Sequence, residues 1–202
     1  MMKKMMMAIA MMVFAMSASA QREEGTLTIQ PKVGFNVSIL YMNDKNVDNE
    51  GRSGNCSGVE LEYQIKNWFS LSGGVLYSQD GGKFKLKDQH TTEEAHLDYI
   101  HVPVLANFYV WKGLALKVGL QPGFKVREKL YPSTSGIVLP EKYQLGDKAE
   151  GFDLRMPIGI SYDFGGVVLE FRTSSGLVKT FHNRDYTNGS ATLSIGYKFA
   201  LK

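Results

Sequence analysis

Glu60, Glu62, Lys117, Arg155, Glu170 and Arg172 stand in four segments where apolar and polar residues alternate, and each falls on the polar side. Three acids and three bases, brought to one face of paired strands, suit a network of ion pairs. If that face is enclosed, the network either fills a lumen or lines a selective pore. Eight strands leave an interior just wide enough for side chains. Charges buried there are costly unless paired. The filled lumen is therefore the expected arrangement.

The other reactive side chains are sparse. His90, His96, His101 and His182 form no metal-ligand spacing. His90, His96 and His182 fall in or beside polar connections, and His101 falls on the polar face of its strand. His182 is followed by Asn183 and Arg184, so the His-x-Ser pair of a deacylase-like site is missing. No phosphate-cradling loop is present. No catalytic, cofactor-binding or metal-binding residue is expected, and no cofactor. Cys56 is the one cysteine and has no intrachain disulfide partner. A formal net charge of +3 over 202 residues, with no basic run, gives no sign of nucleic-acid binding.

The elements that must position these groups are strands. Alternation of period two predicts eight, over 26–41, 58–66, 69–78, 97–110, 114–124, 151–162, 167–173 and 190–201. The connections between them alternate long and short. Polar stretches over 42–57, 79–95, 125–150 and 174–189 read as long loops. Asn67-Trp68, Trp111-Lys112-Gly113 and Asp163-Phe164-Gly165-Gly166 read as tight turns. An even strand count with this alternation is the layout of an eight-stranded antiparallel up-and-down transmembrane β-barrel, with short periplasmic turns and long extracellular loops.

Alternation does not say which face is inside. Three features place the apolar face outward, toward lipid. The polar set is rich in small residues, such as Gly34, Ser70, Ser72, Gly119, Gly159 and Ser194, as a narrow lumen requires. Tyr41, Phe69, Tyr77, Trp111, Tyr162 and Phe199 lie near strand ends, like the girdles at bilayer interfaces. A closed barrel also satisfies all of its backbone groups internally, which hydrocarbon demands. The alternative is a soluble periplasmic ligand-binding barrel with the apolar set inward.

Residues 1–20 read as a signal peptide: Lys3 and Lys4, an apolar run from Met5 to Met16, then Ala18-Ser19-Ala20 before the cut. Residues 21–202 form the barrel domain, in the outer membrane of a Gram-negative bacterium. The last strand ends with Gly196, Phe199 and Leu201, an ending that resembles the C-terminal signal read by the barrel-assembly machinery.

The run Leu97-Asp98-Tyr99-Ile100-His101-Val102-Pro103-Val104-Leu105 resembles a strand of the PorT-like outer-membrane β-barrel family of Bacteroidota. Gly119-Leu120-Gln121-Pro122-Gly123 and Ser194-Ile195-Gly196-Tyr197-Lys198-Phe199 resemble strands that follow it there. Asn107 departs from the family, which often has Lys at that place. The resemblance implies fold and location, and does not imply a role in protein secretion. The expected partners are outer-membrane lipid, the assembly machinery and an extracellular or envelope protein met by the loops. The expected role is structural or interactive; the enzymatic alternative is a lipid A-modifying barrel.

Overall fold

The computed structural model describes residues 23–42, 47–86, 91–131, 149–181 and 184–201. Residues 1–20, read above as a signal peptide, and His90 and His182 lie outside the described residues. The regular elements are β1 (Leu27–Met42), β2 (Val47–Lys66), β3 (Phe69–Leu86), β4 (Thr91–His101), β5 (Val104–Trp111), β6 (Leu114–Tyr131), β7 (Phe152–Phe164), β8 (Val167–Phe181), β9 (Arg184–Tyr197) and β10 (Phe199–Leu201). All pairings are antiparallel, and β1 pairs with β9 and β10 as well as β2, which closes the sheet.

Ten segments make eight staves. β4 and β5 are one stave interrupted at Val102 and Pro103, because a proline has no N–H to give the ladder. The neighbours stay tied across the gap. The Val102 amide donates to Pro122 O at 2.8 Å, and the Gly74 amide donates to Pro103 O at 3.1 Å. β9 and β10 are likewise one stave, interrupted at Lys198, whose amide donates to Gly166 O at 2.7 Å.

The register fixes the shape. Partners traced once round the ring run Leu27, Tyr63, Leu71, Ala106, Val118, Ile158, Thr173, Ala191 and Val37. The path returns to β1 ten residues above its start. Eight staves with that stagger tilt by about 40° to the barrel axis. Each residue then climbs roughly 2.5 Å along the axis, from a strand rise of about 3.3 Å.

Side chains alternate as the sequence requires, with the apolar set outward. Val33, Phe35, Leu61, Val75, Leu120, Ile158, Phe171, Leu193 and Ile195 are all exposed. Thr28, Gln30, Lys32, Glu60, Ser70, Lys117, Arg155 and Glu170 are all buried. A soluble ligand-binding barrel would have these two sets exchanged, so that alternative is overturned. Aromatic pairs lie toward both ends of the barrel, with Phe124 5.8 Å from Phe152 on the long-connection side and three groups at the tight-turn end. Trp68, Phe69 and Phe108 form one cluster, with Phe69 and Phe108 5.3 Å apart; Tyr162 lies 4.4 Å from Phe164 and Tyr197 4.7 Å from Phe199.

The short connections are tight, as expected. Gly165 and Gly166 take φ of 72° and 110°, which a side chain would resist. Asp163 Oδ1 accepts from the Gly166 amide at 2.6 Å and fastens that turn.

The long connections differ from the sequence reading. Much of 42–57, 79–95 and 174–189 is strand, as is the start of 125–150, whose residues 132–148 lie outside the described residues: β2 begins at Val47, β3 runs to Leu86, β6 to Tyr131 and β8 to Phe181. Asp48 pairs with Lys85 and Lys83 with Glu94, well past Val59, Tyr77 and Ile100, which are exposed on the outside of those staves. From Tyr77 to the end of β3 the chain climbs about 20 Å. The barrel thus projects beyond an apolar belt that a bilayer core of about 25 Å would cover. Burial raises the Glu94 carboxyl on this projection, but bonds and charge from His96 and Lys83 outweigh it and leave it below its ordinary value.

Candidate functional site

The lumen is stacked in three polar tiers, each built from residues two apart on several staves. The tier nearest the tight turns centres on Glu62. Lys198 Nζ lies 2.7 Å from Glu62 Oε2, and Ser70 Oγ donates to Glu62 Oε1 at 2.7 Å. Tyr109 also donates to Glu62 and accepts from Lys198 Nζ at 2.9 Å. Asn107 Nδ2 donates to Ser70 and Ser72 at 3.0 and 3.1 Å.

The middle tier joins four staves. Arg172 Nη2 lies 2.7 Å from Glu60 Oε1 and 2.5 Å from Glu170 Oε1. Lys117 Nζ lies 2.7 Å from Glu170 Oε2. Lys32 Nζ lies 2.9 Å from Glu60 Oε2 and 3.2 Å from Glu170 Oε2. All five side chains are at least nine-tenths buried.

The third tier, toward the projecting end, centres on Arg155. Its Nη2 lies 2.6 Å from Asp80 Oδ2 and its Nε 2.6 Å from Asp153 Oδ2. Asn36 Nδ2 and Ser78 Oγ donate to Asp80 Oδ1 at 2.6 and 3.1 Å, and Asn188 Nδ2 donates to Asp153 Oδ2 at 3.0 Å. His101 Nε2 lies 3.3 Å from Asp80 Oδ2, and its ring stacks on Tyr99. Gly123 makes room for that ring: a Cβ there would come within 2.5 Å of His101 Nδ1.

Of the six charges singled out in the sequence, Glu60, Lys117, Glu170 and Arg172 meet in the middle tier. Glu62 and Arg155 do not join them and anchor the tiers on either side. The sequence reading missed Lys32, Lys198, Asp80 and Asp153 as partners. Lys32, Asp153 and Lys198 stand on the polar faces of their strands, so parity alone could have found them. Asp80 was lost because the third strand was ended at Ser78; continuing Ser70, Ser72, Gly74, Leu76 and Ser78 by one step reaches it.

Between the middle and third tiers remains a cavity of about 30 Å³, lined by Lys32, Arg155, Arg172, Ser174, Ser190 and Ser194 among others. That is room for one or two water-sized particles. Among the described residues, no group of three His, Cys, Asp or Glu side chains is placed to hold a metal.

The closing residues take both faces. Phe199 and Leu201 pair with Ile29 and Leu27 and point outward, and both are exposed. Gly196 pairs with Lys32 and Val168, where a Cβ would come within 2.7 Å of Gln30 Nε2.

Solved structures of similar fold are small outer-membrane barrels. The attachment invasion locus protein Ail of Yersinia pestis, solved with the heparin analogue sucrose octasulfate, matches over 88% of this chain and 100% of its own, at 14% identity and a TM-score of 0.50. Neisserial surface protein A matches over 87% and 100%, at 12% identity and a TM-score of 0.49. OprG of Pseudomonas aeruginosa matches over 90% and 99%, at 10% identity and a TM-score of 0.48. No curated protein matches the sequence. Residues 19–182 match the family model described as outer membrane protein beta-barrel domain. With a closed eight-stave ring, an apolar exterior and that match over most of its length, the chain belongs to the outer membrane protein beta-barrel domain family.

Proposed function

We propose that this outer-membrane barrel is closed to ions and serves the envelope as a structural or interaction element, through the end that projects beyond the membrane. The observation that carries this reading is the middle tier: five charged side chains from β1, β2, β6 and β8 interlock across the lumen. Opening a path would separate buried charges from their partners, which is strongly unfavourable. The projecting hairpins are then what the protein offers to other molecules, and their partner is an extracellular or envelope protein. The tight turns and both termini face the periplasm, and the projection faces outward. Residues 1–20 direct export and are removed. Phe199 and Leu201, outward on the closing stave, are the residues that the assembly machinery reads, with Gly196 keeping the stave close to β1. The motifs in β4 to β6 and β9 support a PorT-like, Bacteroidota origin. The tiers engage their carboxylates and bases with one another, which supports a non-enzymatic role over lipid A modification.

The test is electrical. Purified barrel inserted into planar bilayers is expected to give no stable open-channel current at neutral pH. Large, reproducible conductance steps would overturn the closed-lumen reading.

A further inference from the structure

At the projecting end, a ribbon that leaves the wall closes the mouth of the lumen. The β1–β2 ladder stops at Ser38–Arg52, whereas the β1–β9 ladder runs on from Ile39–Gly189 to Met42–Tyr186. On the other flank the β8–β9 ladder breaks between Ser175–Gly189 and Lys179–Thr187, where Gly176, Leu177 and Val178 stand against Asn188 alone. Irregularities of this kind bend strands and end pairing. Both neighbours thus release the outer ends of β1 and β9, which stay paired with each other.

The released ribbon leans inward onto β3. Ser38 Oγ donates to Gly81 O at 3.0 Å, and a Cβ on Gly82 would come within 2.6 Å of Leu40 N, although β2 stands between β1 and β3 in the ring. Gly81 and Gly82 form the notch that admits it, and Gly81 takes a φ of 138°, which a side chain would resist. Beyond the third tier the inward side chains turn apolar. Leu40 and Tyr186 on the ribbon, Ala95 and Leu97 on β4 and Phe181 on β8 are all buried, and Phe181 meets Tyr186 edge to face at 5.7 Å. Asn188 latches the ribbon to the tier beneath: its Nδ2 donates to Asp153 Oδ2 at 3.0 Å and to Tyr99 Oη at 3.4 Å.

We propose that this ribbon, 39–42 with 186–189, is a lid that swings off its notch in β3 about the two ladder breaks and opens the third tier to the outside. Its seat is apolar contact, the Ser38 bond and the Asn188 latch, and no ion pair described above spans it. The lid therefore parts from the barrel at far lower cost than the wall or the middle tier, as a locally opening unit does. When it opens, Asp80, Asp153 and Arg155 line a vestibule whose floor is the middle tier. The inference takes the outward facing of this end and the closed middle tier from the function proposed above. The planar-bilayer test reads the middle tier and not the lid, so the two fail separately.

The experiment uses the folded barrel in bilayer nanodiscs, open to reagents from both sides. In a Cys56→Ser background, Ala95→Cys places a thiol in the apolar seal, and native Cys56, on the cavity below the third tier, is the deeper control in the parent protein. A small membrane-impermeant methanethiosulfonate is expected to modify position 95 at least about tenfold faster than Cys56, at a rate that stops rising with reagent concentration because opening limits it. Gly82→Ala, which sets a Cβ against Leu40 N, is expected to speed position 95 by about tenfold again and to leave Cys56 and heat-modifiability unchanged. Leu40→Asn, which weakens the seal without adding bulk, is expected to act in the same direction. Spin labels at Tyr41→Cys on the lid and Arg127→Cys on β6, in the Cys56→Ser background, are expected to give a second, longer distance that gains population in Gly82→Ala. A single unchanged distance in both proteins would overturn the lid, as would equal modification rates at position 95 and Cys56 in every variant.

Discussion

Arg155 on β7 and Asp80 on β3 meet across the lumen, Nη2 to Oδ2, at 2.6 Å, with both side chains almost completely buried. Two staves separate them on one side of the ring and four on the other, so the contact braces the cylinder across the lumen. Removing one member leaves its partner's charge buried. Asp80→Asn is expected to cost about 3–5 kcal/mol, read as a lower urea midpoint for the loss of heat-modifiable migration. The double variant Asp80→Asn, Arg155→Gln is expected to recover part of that loss. Strict additivity of the two single changes would mean that the pair does not interact.

Sidedness follows from the projection. Arg127 is exposed on β6 near the projecting end, and Lys112 is exposed in a tight turn at the other. In a Cys56→Ser background, a membrane-impermeant thiol reagent added to intact cells is expected to label Arg127→Cys and to spare Lys112→Cys. The opposite pattern would invert the barrel. Cys56 itself is buried toward the lumen, so the unmodified folded protein is expected to resist the same reagent.

The strand extensions are a second consequence. Asp48, Asn49 and Glu50 pair with Lys85, Phe84 and Lys83. Hydrogen exchange is expected to find the amides of 80–83 slowed relative to a free loop by orders of magnitude. Exchange there at the unprotected rate would restore the long-loop reading of 79–95.

These elements also mark where the sequence was legible. Within the apolar belt each stave has hydrocarbon on one side and a packed lumen on the other, so residues such as Ile158 and Gly159 must alternate. That constraint made eight staves, their order and the inward parity of Glu60, Glu170 and Arg172 readable. Beyond the belt much of the wall meets water or polar contacts on both faces, and the sequence loses its period. Asn49, Glu50, Lys83 and Lys85 look like loop residues for that reason, although the backbone ladder continues through them. Which charges pair was less legible, because partners such as Lys198 and Glu62 are set by stagger round the ring. That stagger depends on turn lengths and not on local pattern.

The facing of the wall is the claim on which the account depends, and Leu193 and Thr192 on β9 test it. Leu193 is exposed beside Phe35 and Phe171, whereas Thr192 Oγ1 donates to Asn36 Oδ1 at 2.8 Å inside the lumen. Leu193→Arg is expected to cost roughly 2–4 kcal/mol, as a charge set in hydrocarbon does. Thr192→Ser keeps the hydroxyl and is expected to change stability by much less. The most direct measurement uses single-cysteine variants at 193 and 192, in the Cys56→Ser background, carrying a fluorophore in reconstituted bilayers. A lipid-phase quencher is predicted to reach position 193 and to leave position 192 unquenched. Equal quenching at both, or quenching at 192 alone, would contradict the outward apolar wall and the filled lumen behind it.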